Sequence, residues 1–463
     1  MENKFQFIAF DPNDPKAALA QVPLSSAVFA LYGADSHTEP YVGRTPNLRA
    51  RLERLLQPSQ KHPRRLHLAG LVRRIEWQIT GSEFESLLTQ FSLLEKVFGA
   101  KALERMHLRH PAFVRFLGSN PYPRVTVTHR PSLREADWAY GPFPSRAAAE
   151  RYAEEMLKLF LLRRCTFELA PDPSYPGCVY SEMKMCLAPC FKGCTDERYA
   201  EESAAVEGFL ATRGESRLVT LRTERDQASA NLAFESAAAL HAQIQRVEAV
   251  HTLAAEIVRP LSKLRAVILQ ASAIPDEVAV FLFDSGRLRG PSAFSTLGMR
   301  IQNEQSGSTS LFAQPMAVEA IPEQIEIREQ RSGNWELGTE KQGLRSREQG
   351  VEKRESGISG SRAAEVQAEA HESQIPVAPK LARGVLESRL EDALAALTQD
   401  TSALTATVRQ GHLALLKRWY YRPEAKRTGE IFSPGEKSRW PVKAILRGVG
   451  RIAAKTILPP PEN

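Results

Sequence analysis

All five cysteines of this 463-residue sequence lie within thirty consecutive positions, spaced C-x12-C-x7-C-x3-C-x3-C: Cys165, Cys178, Cys186, Cys190 and Cys194. Thiols concentrated in this way can form disulfides in an oxidising compartment, or ligate a metal when their thiolates converge. The N-terminal residues lack the basic and apolar regions of a secretory signal. A reducing cytoplasm and a bound metal are therefore expected. Four thiolates suit Zn²⁺ or an iron–sulfur cluster, and five buried, inert cysteines are a third interpretation.

The residues that flank these cysteines narrow the prediction. Pro176-Gly177 precedes the second cysteine, and the third and fourth enclose Leu187-Ala188-Pro189. This block resembles the cysteine block of the UvrC family, the nuclease subunit of bacterial nucleotide excision repair. The resemblance implies an iron–sulfur cluster, with zinc as the alternative, on the first four cysteines, Cys165, Cys178, Cys186 and Cys190. Cys194 lies outside the family pattern.

A second group of chemically useful residues lies near the N-terminus. The run from Tyr41 to Arg51 resembles the second half of the GIY-YIG nuclease motif. In that family tyrosines serve the nucleophile, basic groups stabilise the pentavalent phosphate, and a helix carboxylate holds a divalent metal. The resemblance assigns such roles to Tyr41, Arg44 and Arg51.

Three positions depart from that pattern. The first tyrosine has become Phe29, the metal carboxylate falls on Gln90, and a later asparagine falls on Val114. Phenylalanine has no hydroxyl, and a neutral amide is a poor ligand for Mg²⁺ or Mn²⁺. Glu83 shares the helical face of Gln90 but lies about 10 Å away along the axis, at ~1.5 Å per residue. We therefore expect a domain that keeps the fold and basic surface but cuts DNA weakly or not at all.

Hydrophobic patterns predict the elements that position these residues. Strands are expected at 27–32, from Tyr41 and at 75–79, with a helix at 47–56 between the last two. Ser82 is the expected N-cap of a helix that runs to Glu95. A strand at 122–127 and a helix at 145–162 then lead to the first cysteine.

Two helical blocks follow the cysteines. Thr195 and Asp196 predict a helix that runs to Thr212, and an amphipathic pattern covers 218–247. Residues 231–244 resemble the UVR motif, a helical hairpin that in this family pairs with a matching hairpin of the subunit UvrB. A two-helix hairpin buries little surface alone, so a partner is expected. The resemblance implies a UvrB-like subunit bound through residues 215–250. The alternative is a helix pair docked on its own domain.

The C-terminal half is less regular. Strands are expected at 264–269 and 278–283, joined to the next segment by a hairpin turn at 284–286. In residues 416–422, cationic and aromatic side chains are interspersed. This pattern favours either a nucleic-acid-binding surface or a docked helix with charged residues at its rim. The acidic set of the second UvrC nuclease has no counterpart here, so that nuclease is expected to be absent.

Together these patterns predict an α+β protein. Its expected segments are a GIY-YIG nuclease-like domain (20–130), a helix with the cysteine-rich metal-binding segment (131–200), a UVR-type hairpin (201–258), a strand-rich remnant of the UvrC C-terminal region (259–302), a disordered linker (303–379) and a helical basic tail (380–463). No apolar run reaches the ~18 residues that span a membrane, and the net charge of +7 suggests DNA as partner. The expected function is a UvrC-like repair endonuclease subunit with impaired catalysis; the alternative is a non-catalytic DNA- and UvrB-binding repair module.

Overall fold

The structure is a computed structural model that describes residues 5–35, 38–57, 68–299, 383–399, 403–435 and 438–457. Twelve α-helices, labelled α1 to α12, and three four-stranded sheets occur within these described ranges. The expected linker at 303–379 lies outside them. None of the described helices combines the length and the apolar character that a membrane crossing requires.

The N-terminal sheet is antiparallel, with strand order β1-β4-β2-β3. Its elements along the chain are β1 (Gln6–Ala9), α1 (Pro15–Ala20), β2 (Ala27–Gly33), β3 (Tyr41–Thr45), α2 (Leu48–Leu56), β4 (Val72–Ile79) and α3 (Glu83–Phe98). The central strand β2 is buried on both faces, with Phe29 against α2 and Val28 against α3. Ser82 caps α3 as expected, since its hydroxyl accepts the Glu85 amide at 3.1 Å. The sheet begins before residue 20, because β1 pairs with β4.

A second sheet, with order β6-β5-β7-β8, carries the helices that surround the cysteines. Its elements are α4 (Ala102–Arg105), β5 (Ala112–Phe116), β6 (Val125–Thr128), β7 (Ala139–Phe143), α5 (Arg146–Leu157), α6 (Val179–Glu182), α7 (Asp196–Ala211), α8 (Glu215–Ala230), α9 (Phe234–Thr252) and β8 (Arg259–Pro260). The expected domain boundary at 130 therefore differs from the structure, which places β5 and β6 beside β7. The helix expected at 145–162 ends at Leu157, because the chain then turns and buries Phe160 and Leu162 in the core.

The third sheet joins two segments that the sequence had separated. Its elements are β9 (Arg265–Ala271), β10 (Glu277–Asp284), β11 (Arg287–Ser295), α10 (Arg383–Thr398), α11 (Ala406–Tyr420), β12 (Glu430–Phe432) and α12 (Val442–Ile457). The antiparallel order is β11-β10-β9-β12, so the expected tail supplies a strand beside β9. The expected turn at 284–286 is present, with Ser285 and Gly286 both at positive φ. Residues 259–302 and 380–463 therefore fold as one body over their described parts, rather than as a remnant and a separate tail.

Helix α3 connects the N-terminal sheet to this third body. Phe84 and Phe91 of α3 lie in one buried cluster with Phe281 of β10 and Leu416 of α11. The two helices approach closely at Gly411 of α11, where an added Cβ would lie 2.1 Å from the Phe91 ring. The two ends of the chain consequently meet along one helix.

Candidate functional site

The first candidate site centres on the hydroxyl of Tyr41 in edge strand β3. The Arg51 guanidinium, one turn into α2, donates to this oxygen at 3.2 Å. Phe29 lies on the same face, with its ring centroid 6.1 Å from that of Tyr41. Gly43, paired with Phe29 across the strands, leaves room for that ring, since an added Cβ would lie 2.8 Å from it. The expected Tyr41 and Arg51 are thus brought together, and Phe29 serves as packing.

A pocket of about 380 Å³ opens beside Tyr41, and Gln90 of α3 lies in its wall. The two charged groups of the pocket, Glu39 and Arg105, form an ion pair with each other. Within the described ranges, no three His, Cys, Asp or Glu side chains are grouped so that they could hold a metal ion. Gln90 therefore lines the same pocket as Tyr41, and among the described residues no group of acidic side chains that could hold a metal surrounds it.

Arg44 lies on the other face of β3, which α3 covers. Its guanidinium is 3.5 Å from the carboxylate of Glu83, at the first turn of α3. Arg422, which follows α11, binds the same carboxylate through two hydrogen bonds of 2.7 Å. These Arg422 bonds are the main reason that the pKa of Glu83 lies below its usual value, and Arg44 and Arg418 add to the effect. No local pattern indicates this pairing, because Arg422 lies 339 positions from Glu83.

Val114 does not join this group. It is fully buried in β5 of the second sheet, in a core separate from the one that contains Phe29. The expected catalytic positions therefore lie apart. Tyr41 and Gln90 line the pocket, and Arg51 and Phe29 contact Tyr41. Arg44 lies beside Glu83, and Val114 lies in another core.

The second candidate site is the cysteine segment. Its five cysteines are free thiols, and Cys190 is buried. The chain between them reverses repeatedly at positive φ, at Gly177, Lys184, Ala188 and Lys192. These reversals fold the segment back on itself.

The pKa of Cys186 indicates which thiols influence it. It is raised to about 11, mainly by burial, and the thiols of Cys165, Cys178 and Cys190 contribute to that value. Cys194 is absent from that set, and the pKa of its own thiol is raised by burial, then by Asp196 and by the thiol of Cys190. The ligand set of the first four cysteines stays a prediction.

Two donors already point at these sulfurs. The Ala188 amide donates to Cys186 Sγ at 3.3 Å, and Arg163 Nη1 donates to Cys165 Sγ at 3.5 Å. The buried Arg163 side chain also binds the carbonyls of Tyr122 and Phe167, both at 2.9 Å. N–H donors of this kind tune thiolate-bound clusters, so the donor set fits such a group chemically. Among the described residues, however, no three Cys, His, Asp or Glu side chains are grouped so that they could hold a metal ion.

The third candidate site is the hairpin of α8 and α9. Leu218, Leu221 and Val247 at its base are buried in the core of the second sheet. Its distal end projects apolar side chains into solvent: Leu232 and Phe234 are 72% and 66% exposed. Large exposed apolar side chains that cluster at one end mark an interaction surface.

Sequence comparisons agree with this arrangement. The family model described as UvrC/Cho excinuclease, middle domain, matches residues 113–209, and that of the UvrB/uvrC motif matches residues 215–250. UvrABC system protein C of Alcanivorax borkumensis is 30% identical over 237 residues, or 51% of this chain and 39% of the relative. The corresponding protein of Pseudomonas protegens is 29% identical over 240 residues, or 52% and 39%. The chain thus spans about two fifths of the length of these relatives. No solved structure matches it.

Proposed function

We propose that this chain, a member of the UvrC family through its middle domain and its UvrB/UvrC motif, works in nucleotide excision repair by binding DNA and a UvrB-like subunit. The observation that carries the proposal is the hairpin of α8 and α9, whose base is buried while its distal apolar residues are exposed. A matching hairpin would cover Leu232 and Phe234 and remove their apolar surface from water.

Calorimetric titration with a folded C-terminal hairpin of UvrB tests this partner. We expect binding in the micromolar range, and a loss of at least about tenfold for Phe234→Ala, since anchors of this kind cost 2 kcal/mol or more when truncated. Ile274→Ala is the matched control, because Ile274 is 58% exposed and lies outside the hairpin. Equal affinities for both variants, or no binding of the wild type, would overturn the proposal.

The N-terminal site is proposed to contact DNA with impaired incision. Tyr41 and Arg51 can place a hydroxyl and a cation at a phosphodiester. Phe29 supplies no hydroxyl, and Gln90 offers only an amide where a hard cation needs a carboxylate. This set favours the non-catalytic repair module over an active endonuclease. Robust Mg²⁺- or Mn²⁺-dependent nicking of a lesion-bearing duplex, abolished by Arg51→Ala, would instead support an active endonuclease.

Cys165, Cys178, Cys186 and Cys190 are proposed to hold an iron–sulfur cluster. When bound, such a cluster would cross-link the segment and could carry an electron. The chain's own contribution is the pair of N–H donors from Ala188 and Arg163, which lie against two of the sulfurs. Reduced thiols of this kind imply a cytoplasmic location, which is part of the same proposal.

Iron and sulfide analysis of protein purified without air tests the cluster. Cys186→Ser should lose the iron and the visible absorbance, whereas Cys194→Ser, the matched control, should keep both. Zinc in place of iron would agree with a metal site on these four cysteines but would contradict an iron–sulfur cluster. Iron that survives Cys186→Ser would exclude this ligand set.

A further inference from the structure

We propose that Arg44, Arg418 and Arg422 form a phosphate-binding site for a nucleic-acid backbone, in which the C-terminal segment completes the contact surface of the N-terminal domain. The proposal rests on the proposed DNA contact, but it requires neither incision nor a UvrB partner. Its occupant is a phosphodiester of the DNA backbone.

The site joins residues from opposite ends of the chain. Arg44 lies on edge strand β3, Arg418 lies in the last turn of α11, and Arg422 follows just after that helix ends. Arg44 and Arg422 contact the same Glu83 carboxylate. Arg418 and Arg422 both act electrostatically on Arg44 and on Glu83, so the three guanidinium groups lie in one neighbourhood. Guanidinium groups bind phosphate oxygens through paired N–H donors, which favours arginine over lysine at such sites.

The charge balance of this neighbourhood is incomplete. Glu83 is the carboxylate that Arg44 and Arg422 share, and it offsets one of three positive charges. Arg418 is exposed and, among the described residues, forms no ion pair. A phosphodiester would neutralise a further charge, and Arg44 and Arg422 are about one third exposed, which leaves them accessible to it.

The end of α11 is held in place by contacts of the residues next to Arg418 and Arg422. Lys417 donates to the carbonyls of Arg109 and His110, and the Trp419 indole donates to the Thr428 carbonyl at 2.9 Å. The Tyr421 hydroxyl donates to the Pro142 carbonyl at 2.8 Å. Residues on either side of Arg418 and Arg422 therefore fix the backbone, and a preorganised cation pair loses little entropy on binding.

Fluorescence anisotropy with a labelled DNA duplex, over a range of salt concentrations, tests the site on the full chain. Arg418→Gln should weaken binding about three- to tenfold and reduce the slope of log K against log salt by about one, as expected for one lost phosphate contact. Arg447→Gln is the matched control, because Arg447 is an exposed arginine on α12. Equal losses for both variants, or no loss for Arg418→Gln, would overturn the proposal.

Glu83→Gln gives a test of opposite sign. If the carboxylate competes with phosphate for the three cations, its neutralisation should tighten DNA binding about threefold or more. A purely structural Glu83–Arg422 pair predicts a lower melting temperature with unchanged or weaker binding, which would refute the proposal. Arg422→Gln removes a partner of Glu83 as well as a cation, and this variant can unfold for that reason alone. Arg418→Gln leaves the Glu83–Arg422 pair intact and is therefore the variant on which the test depends.

Competition with inorganic phosphate shows whether the site binds a free phosphate ion or only the phosphodiesters of a DNA polymer. At constant ionic strength, phosphate that displaces DNA from the wild type more strongly than chloride, but not from Arg418→Gln, indicates a local anion site. If DNA binding depends on Arg418 but phosphate does not compete, the site requires the polymer, which also supports the proposal. The UvrB titration does not involve this surface, so its failure would leave these results intact.

Discussion

Two helical segments of this chain, the α8–α9 hairpin and α11, both mix apolar residues with charges but pack differently. The hairpin leaves Leu232 and Phe234 in solvent. Helix α11 buries Leu416 and Trp419 between α3 and the third sheet. An amphipathic pattern thus predicts a helix, whereas the surface that covers its apolar side depends on the rest of the fold.

This comparison settles the role of the aromatic residues near the end of α11. Trp419 is buried, and the hydroxyl of Tyr421 is bonded to a backbone carbonyl. Neither ring is placed to stack on a base in this arrangement. The docked-helix interpretation therefore fits Trp419 and Tyr421, while the cations Arg418 and Arg422 lie at the rim.

Truncation of one leucine in each segment should produce the largest difference. Leu416→Ala should lower the free energy of unfolding by about 2–5 kcal/mol, because Leu416 is fully buried. Leu232→Ala should change it by no more than about 0.5 kcal/mol, since Leu232 is 72% exposed. Urea denaturation followed by circular dichroism measures both. Similar losses would mean that the hairpin end is covered within the chain.

The close contact between α11 and α3 gives a second, smaller effect. Gly411→Ala places a methyl group against the Phe91 ring, which is itself buried, and should cost about 1–3 kcal/mol. Gly384→Ala is the control near the start of α10, where an added Cβ meets nothing within 4 Å. There the better helix propensity of alanine should stabilise by up to about 1 kcal/mol. Equal shifts in the denaturation midpoint would contradict the contact.

Local elements were predictable because their signals are local. The strands that contain Phe29 and Tyr41, the N-cap Ser82 and the hairpin turn at Ser285 and Gly286 each depend on a few neighbouring residues. The family was predictable for a similar reason, since the cysteine block and the hairpin motif are short and closely spaced. The family models match the regions that contain them.

Long-range pairing was not predictable in this way. Strand β12 has three residues and pairs with β9 from a distant part of the chain. Beside this pairing, Gln270 donates to the Thr428 carbonyl, 158 positions away. Arg422 reaches Glu83 across most of the chain. The position of Val114 in another core follows from the pairing of β5 with β7, which no periodicity specifies. Such contacts depend on complementary surfaces that exist only once the segments have folded.

The last expected effect is a dependence on pH that distinguishes α11 from the hairpin. Burial lowers the pKa of His412 in α11 from its ordinary 6.5 to about 3, and Arg287 and Arg289 add to the shift. Nδ1 of this neutral ring accepts the Leu288 amide at 3.0 Å. The unfolded chain therefore binds one more proton than the folded chain below pH 6.5. Stability from this residue is complete above pH 6.5 and falls as the pH drops towards 3, by at most about 1.4 kcal/mol per pH unit.

Denaturation midpoints between pH 4 and 8, for the wild type and two variants, measure this dependence. His412→Gln keeps an acceptor for Leu288 but cannot take up a proton, so its stability should fall less steeply than that of the wild type as the solution is acidified. His251→Gln, in exposed helix α9, should retain the steepness of the wild type. If all three proteins lose stability in parallel, His412 takes up its proton as readily in the fold as in the unfolded chain, and the tight enclosure of α11 that distinguishes it from the hairpin would be wrong.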